Sequence, residues 1–287
     1  MAARPRVITI EEHYQDPDVL RAYAPEDQRQ LPAVAERLND LTNLRIREMD
    51  EAGIAMQVLS HANPGLQKMD ADTAVRLARI ANDRLAQTVR AHPDRFAAFA
   101  AIPTPDPRAA ADELERAVTQ LGFKGALING TRSPGNRFRS PPDAAWQDWP
   151  MILRAAWGFT VETATQGVRM VLSGVFDAFP KLKIILGHLG EGLPFLLWRI
   201  DAGFSRGGGR SFRDVFCENF YITTSGFFSN PALLCCVQEL GVDRIMFSVD
   251  YPFVLNKPGT DWLPNIPLCA EDKAKISSGN AIRLLRL

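Results

Sequence analysis

Short apolar runs alternate with helical patterns along most of the chain. Seven such runs end in a turn residue or a polar side chain, and they lie at 7–10, 56–59, 96–102, 126–128, 183–186, 220–224 and 245–249. Short apolar runs between turn residues are typical of strands buried in a parallel sheet. Several intervening segments repeat apolar residues at helical spacing, as Leu77, Ala81 and Leu85 do. This alternation predicts an α/β fold with a parallel sheet.

Polar side chains at the strand ends favour a closed barrel over an open sheet. They are Glu11, His13, His61, Asn129, His188, Ser225 and Asp250. In a barrel the carboxyl ends of all strands converge on one mouth, where catalytic groups of this fold lie. No Gly-x-Gly-x-x-Gly follows a strand, which argues against a dinucleotide fold. Because no Gly/Ser or Pro linker divides the chain, we expect one (β/α)8 TIM-like barrel domain over 1–287.

The barrel is expected to be distorted or incomplete. Seven runs are clear, whereas a barrel of this type has eight strands. The longest interval between strand ends runs from 129 to 188, and it begins with the Gly/Pro-rich stretch 131–142. A helical pattern follows from about 146 to 179, so the stretch around 157–161 is the only candidate for an eighth strand.

Composition excludes several classes of function. The chain has 287 residues, and its 33 basic residues are balanced by 33 acidic ones. A protein that binds nucleic acids or membrane surfaces would need a basic face. The apolar stretches are too short to span a membrane, and we read no signal peptide. The four cysteines form no Cys-x-x-Cys pair, as expected for reduced thiols. We therefore expect a cytoplasmic protein that acts on a small molecule.

The motif Glu11-Glu12-His13 closes the first apolar run. In a regular strand Glu11 and His13 point to one face and Glu12 to the other. A carboxylate and an imidazole side by side can hold a divalent metal. Alternatively, the motif is a polar strand end with solvated charges. The same choice applies to His61, which either faces a pocket or is an ordinary hydrogen-bonded loop residue.

Ten segments, the opening motif among them, carry a family resemblance. They lie at 11–13, 49–54, 93–96, 122–126, 162–165, 173–177, 186–191, 198–201, 223–226 and 247–253. In their order and over nearly the whole chain they resemble the decarboxylase branch of the amidohydrolase superfamily. This branch includes the aminocarboxymuconate-semialdehyde, γ-resorcylate and 2,3-dihydroxybenzoate decarboxylases.

The resemblance implies a barrel with one divalent metal, Zn or Mn, in its mouth. Glu11, His13 and Asp250 would be the metal ligands. The catalytic group would comprise Asp250 as proton-transfer residue with His188 and Glu191 as a polar pair beside the substrate. Arg199 and Asn129 would bind substrate, Arg199 in the family sometimes across a dimer interface, so we expect a homo-oligomer, a dimer or tetramer.

The implied function is metal-dependent, non-oxidative decarboxylation of a small aromatic or unsaturated carboxylic acid of the hydroxybenzoate type. One alternative is a metal-dependent hydrolase on the same scaffold, in which a metal activates water. The other is a non-catalytic family member that has lost its metal site.

The chain departs from the family in one interval. The family has a further ligand histidine after its fourth strand, but the histidines here are 13, 61, 92 and 188. The missing histidine and the missing strand fall in the same interval, which indicates deletion of roughly one strand–helix unit, either natural or from a faulty gene model. Our hypothesis is that neither His61 nor Glu162 replaces the lost ligand.

Overall fold

A computed structural model of the protein describes residues 6–25, 27–28, 30–130, 152, 155–204 and 209–287. The chain divides into two compact units. The first comprises Met1–Thr131 with Met246–Leu287, and the second comprises Arg132–Ile245. That the chain is one domain stays a prediction.

Strands and helices alternate in both units. The strands are β1 (Ile8–Tyr14), β2 (Met56–His61), β3 (Phe96–Ala98), β4 (Ala100–Ala101), β5 (Ala126–Leu127), β6 (Ile184–Leu186), β7 (Phe220–Thr223) and β8 (Ile245–Met246). The helices are α1 (Pro17–Ala22), α2 (Pro32–Asn39), α3 (Asn43–Ala52), α4 (Ala71–Ala91), α5 (Pro107–Thr119), α6 (Gly158–Leu172), α7 (Val175–Ala178), α8 (Leu193–Gly203), α9 (Phe212–Asn219), α10 (Asn230–Leu240), α11 (Asn256–Trp262), α12 (Ala270–Ala274) and α13 (Asn280–Leu285). A π-helical turn, Lys275–Gly279, links α12 and α13.

The sheet pairing is parallel, as the apolar runs predict. In the first unit β1 pairs with β2, β2 with β3, and β4 with β5, and in the second unit β6 pairs with β7. Each of the seven predicted runs overlaps a strand, and the run 96–102 is divided into β3 and β4.

The suggested strand at 157–161 is wrong. Residues from Gly158 onward belong to α6, in which the Thr165 hydroxyl donates to the Val161 carbonyl at 2.7 Å. The helix passes through Gly167 and ends at the Ser173-Gly174 turn, and hydrogen bonds within it satisfy the backbone groups of the segment. The stretch 131–142 lies outside the described residues.

Strand β1 contains an irregularity beside the candidate site. Ile8 and Thr9 lie opposite Met56 and Gln57, but Glu12 lies opposite Leu59. Three steps along β1 therefore match two along β2, which is the register of a β-bulge. Bulges are frequent next to active sites because they re-aim side chains. The plain alternation assumed for Glu11 and His13 is interrupted here.

Helix α4 supports the sheet of the first unit. The Asp70 side chain accepts from the Thr73 N–H and caps its first turn. Its apolar face packs with α1 in a buried cluster of Val19, Tyr23, Leu66, Ala74, Leu77, Ala78, Ala81 and Ala101. The buried Asn82 amide exchanges two 2.9 Å hydrogen bonds with the backbone of Ala101 in β4. Packing and polar pairing thus fix α4 against β4. No helix among the described residues is long and apolar enough to cross a membrane.

Candidate active site

Asp250 lies in a backbone conformation that few residues adopt. It follows the buried segment 247–249 and has φ +75°. A non-glycine residue in the left-handed region persists where its surroundings hold it, and such residues cluster at functional sites. Two backbone hydrogen bonds hold the chain around Asp250 here. The backbone N–H of His13 donates to the Tyr251 carbonyl at 2.7 Å, and the backbone N–H of Val254 donates to the Asp250 carbonyl at 3.0 Å.

The fully buried Glu12 carboxylate holds the same segment from β1. One oxygen accepts from the Ser248 hydroxyl at 2.7 Å and from the Val249 N–H at 2.9 Å. The other accepts from the Tyr251 N–H at 2.9 Å. Burial raises the pKa of Glu12 from 4.5 to about 7, although these hydrogen bonds oppose the rise. All three partners donate, which is the pattern that an ionised carboxylate accepts.

His13 and Asp250, two predicted metal ligands, are brought together. His13 Nε2 lies 3.1 Å from Asp250 Oδ1, and both side chains are largely buried. His13 Nδ1 lies 3.3 Å from the Ser60 hydroxyl. Burial lowers the pKa of His13, but the hydrogen bond and charge of Asp250, with the charges of Glu11 and Glu12, outweigh it. The net effect raises that pKa above its ordinary 6.5.

Glu11, the third predicted ligand, is partly buried beside this pair. Its N–H donates to the Ser248 hydroxyl at 2.7 Å, and its charge acts on His13. An imidazole and two carboxylates are donors that suit Zn or Mn, so the residue types fit a divalent metal. Within the described ranges, however, no three His, Cys, Asp or Glu side chains are arranged to hold a metal ion.

His61 is an ordinary hydrogen-bonded residue in this structure. Its Nε2 accepts from the Asp16 N–H at 3.1 Å, and its Nδ1 lies 2.9 Å from the Ala62 carbonyl. Burial lowers its pKa from 6.5 to about 4, so the ring is neutral near pH 7. Both ring nitrogens are engaged, which supports the hypothesis that His61 does not replace the lost ligand. The Asn129 amide donates to the His61 carbonyl at 3.4 Å, which places Asn129 at the end of β2.

In the second unit the structure pairs His188 with Glu191. His188 Nδ1 lies 2.7 Å from Glu191 Oε1, and Glu191 is buried. The four residues from His188 to Glu191 all have positive φ, at 48°, 53°, 75° and 56°. This left-handed turn directs the first and last side chains to each other. Arg199, on α8 of the same unit, is exposed, and its predicted contact with substrate stays a prediction.

Gly190 is the tightest position of the turn. A Cβ there would lie 3.0 Å from Ile222 Cγ2 and from Pro194 Cδ. We expect Gly190→Ala to lose about 1–3 kcal/mol more unfolding free energy than Gly192→Ala, because overpacking adds to backbone strain. Gly192 is the matched control, since it has φ +77° and no atom within 4 Å of its Cβ position. Urea unfolding measures the unfolding free energy of both variants. Equal losses would show that crowding around a Cβ at position 190 adds no cost.

A buried cation was not identified from the sequence. Arg45, on α3, is fully buried and donates to the His13 carbonyl at 2.5 Å and to Gln57 Oε1 at 3.0 Å. Its guanidinium lies over the Tyr251 ring, 4.6 Å from the centroid, while the Tyr251 hydroxyl donates to Glu48 at 2.8 Å. An arginine in a charged helix resembles a solvated residue, so composition gives no signal of this role.

Comparison with known proteins identifies the family. The family model described as Amidohydrolase matches residues 28–287. A γ-resorcylate decarboxylase of Rhizobium radiobacter is 38% identical over 322 aligned residues, covering 98% of each chain. Because this chain has 287 residues, that alignment contains at least 35 positions at which this chain has no residue.

Two solved structures are similar over nearly their whole length. The 5-carboxyvanillate decarboxylase of Sphingomonas paucimobilis has TM-score 0.90 and 35% identity, covering 99% of this chain and 100% of that one. A dihydroxybenzoic acid decarboxylase of Polaromonas, solved with manganese and 2-nitroresorcinol, has TM-score 0.86 and 37% identity, covering 99% and 98%. The α/β fold matches that of these barrel enzymes, and the chain belongs to the decarboxylase branch of the amidohydrolase family.

Proposed function

We propose that the chain is a metal-dependent, non-oxidative decarboxylase of a dihydroxybenzoate-type aromatic acid, with γ-resorcylate (2,6-dihydroxybenzoate) as the leading substrate. The proposal is carried by the pairing of His13 with Asp250 at 3.1 Å in a chain of this family. It is supported by full-length similarity to γ-resorcylate decarboxylases and to a 2,6-dihydroxybenzoate decarboxylase solved with its substrate. The reaction class is that of a carboxy-lyase.

The chemistry requires a proton donor at the ring carbon that bears the carboxylate. Protonation of that carbon interrupts aromaticity, the bond to the carboxylate then breaks, and its electron pair restores the ring as CO2 leaves. Asp250 gives its proton to this carbon as general acid and is reprotonated from water. Its left-handed backbone and its contact with His13 hold the carboxyl in one direction.

The residues that would hold a divalent metal are those of the family resemblance, Glu11, His13 and Asp250, whose donor types fit although the three side chains are not gathered around one point in the described structure. When bound, the metal supplies a template and Lewis acid for the substrate carboxylate and the neighbouring hydroxyl. Manganese is present in structures of two decarboxylase relatives, which favours it over zinc. The protein's own task is to orient these donors, and the Ser248 hydroxyl contributes by accepting from the N–H of Glu11.

The remaining predicted residues act on the substrate. Glu191 orients His188 through their 2.7 Å contact, and His188 in turn tunes the charge of the phenol oxygen. Asn129 and Arg199 are proposed to bind the substrate. We also infer a dimer or tetramer, supported by the aromatic surface beside Arg199, where Phe195 and Trp198 are 81% and 75% exposed.

The experiment is CO2 release from γ-resorcylate by the purified full-length protein. We expect turnover with added Mn²⁺, a loss of at least about 10²-fold after EDTA treatment and dialysis, and recovery when Mn²⁺ is restored. Loss of the Lewis acid is the physical reason for the decrease.

Two controls separate the alternatives. Aryl ester and amide substrates are assayed in parallel, and their cleavage without CO2 release would indicate a hydrolase. Metal content after growth with manganese and zinc is also measured. A metal-free, inactive protein would instead indicate a non-catalytic family member without a metal site. The absent family histidine is the reason for testing this alternative.

A further inference from the structure

We propose that Glu12 is a positioning residue for Asp250, because its buried carboxylate holds the chain on both sides of the proton donor. The inference depends on the proposed function only for the role it gives Asp250. Sequence alternation places Glu12 on the face away from the metal motif, and so assigns it no chemistry.

The Glu12 carboxylate accepts hydrogen bonds from the residues on both sides of Asp250, and we call this arrangement the Glu12 clasp. The N–H groups that Glu12 accepts belong to Val249 and Tyr251, the immediate neighbours of Asp250. Each is bound at 2.9 Å by a different oxygen of one carboxylate. The Tyr251 N–H lies in the peptide plane after Asp250, and the Val249 N–H lies one plane further back, so anchoring both restrains the backbone on either side of Asp250 and supports its φ of +75°.

The Ser248 hydroxyl adds a second connection between the first strand and the segment of Asp250. It donates to Glu12 at 2.7 Å and accepts from the Glu11 N–H at 2.7 Å. One hydroxyl thus joins the backbone at Glu11 to the segment of Asp250. Movement of the first strand relative to the segment of Asp250 would break the buried hydrogen bond between Ser248 and Glu12, which is costly without a water to replace it.

Only a carboxylate of this length can accept hydrogen bonds from both flanking N–H groups and from the Ser248 hydroxyl. Glutamine has nearly the same shape but offers one acceptor oxygen, and its NH2 group would face an N–H donor. Aspartate has the acceptors but is shorter by one methylene. The Glu12→Gln variant therefore removes the clasp with the smallest change in volume.

Hydrogen exchange of the full-length protein tests the clasp without reference to activity. In Glu12→Gln we expect the amides of Val249 and Tyr251 to exchange at least about 10-fold faster than in wild type. The matched control is Glu113→Gln, which alters another buried carboxylate, bound to Asn82 at 2.7 Å and paired with Arg116. Exchange at Val249 and Tyr251 should be unchanged in that control.

Kinetics add a readout that a purely structural role would not give. We expect kcat on γ-resorcylate to fall at least about 10-fold in Glu12→Gln with KM within about 3-fold, because orientation of the donor affects the transition state. Ser248→Ala, which removes the hydroxyl and leaves Glu12 in place, should give a smaller change in the same direction. It also keeps the test open if Glu12→Gln does not fold.

Two results would overturn the inference. One is wild-type exchange at Val249 and Tyr251 in both Glu12→Gln and Ser248→Ala. The other is equal acceleration at these amides in Glu113→Gln. If wild type releases no CO2, the proposed substrate is wrong, yet the exchange data still decide whether Glu12 holds the Asp250 segment.

Discussion

Asp250→Asn is expected to reduce CO2 release from γ-resorcylate by about 10²–10⁴-fold, the contribution of a general acid. Asparagine keeps the size of the side chain but carries no acidic proton for the ring carbon. It also tolerates a left-handed backbone better than most residues, so the turn at φ +75° should survive. Single-turnover kinetics at saturating Mn²⁺ measure the chemical step directly.

The control for this variant is Asp94→Asn, an exposed carboxylate on the surface that should leave kcat unchanged. The unfolding free energy of Asp250→Asn is compared with that of wild type, which separates lost chemistry from lost structure. Decarboxylation at the wild-type rate in a folded Asp250→Asn protein would show that another group delivers the proton.

Arg45→Met is expected to lose about 3–5 kcal/mol of unfolding free energy, the usual result of removing one member of a buried charged network. The change leaves the His13 carbonyl and Gln57 Oε1 without their donor. It also removes a positive charge that interacts with the charge of the buried Glu12. Burial lowers the pKa of Arg45 to about 10 although nearby acidic groups, Glu12 among them, oppose the decrease, so the guanidinium is still a cation at pH 7.

Urea unfolding gives the loss, and Arg47→Met on the same helix is the matched control. The Arg47 side chain is largely exposed and reaches Glu51 only at 3.9 Å. Exposed ion pairs contribute about 0–1 kcal/mol, so this variant should remain close to wild type. Similar losses in the two variants would mean that the buried network around Arg45 adds nothing.

The strands were predictable because buried parallel strands need apolar side chains on both faces. The run 96–102, Phe-Ala-Ala-Phe-Ala-Ala-Ile, therefore appears in the sequence as a continuous apolar stretch that ends at Pro103. Long amphipathic helices give an equally clear signal, as α4 does. The prediction of a strand at 157–161 was wrong because a short apolar stretch has no periodicity that separates a strand from the first turn of a helix.

The candidate site was predictable in its residue types and not in its partners. Family resemblance placed His13 with Asp250 and His188 with Glu191, and the structure brings the members of each pair together. No local pattern reveals that Glu12 accepts from the backbone around Asp250. Such contacts join positions far apart in sequence, so only the packed fold defines them.

The first unit is built from both ends of the chain, and this has a consequence for synthesis on the ribosome. The Glu11 N–H and its Ser248 acceptor are 237 positions apart. The first strand therefore emerges with Glu12 long before the hydroxyl and N–H groups that bind its carboxylate in the folded protein. Contacts of such sequence separation form late in folding because loop closure must precede them. The nascent protein acquires its proton donor only when its last segment docks, and a chain cut short before Asp250 keeps the opening motif but not the chemistry.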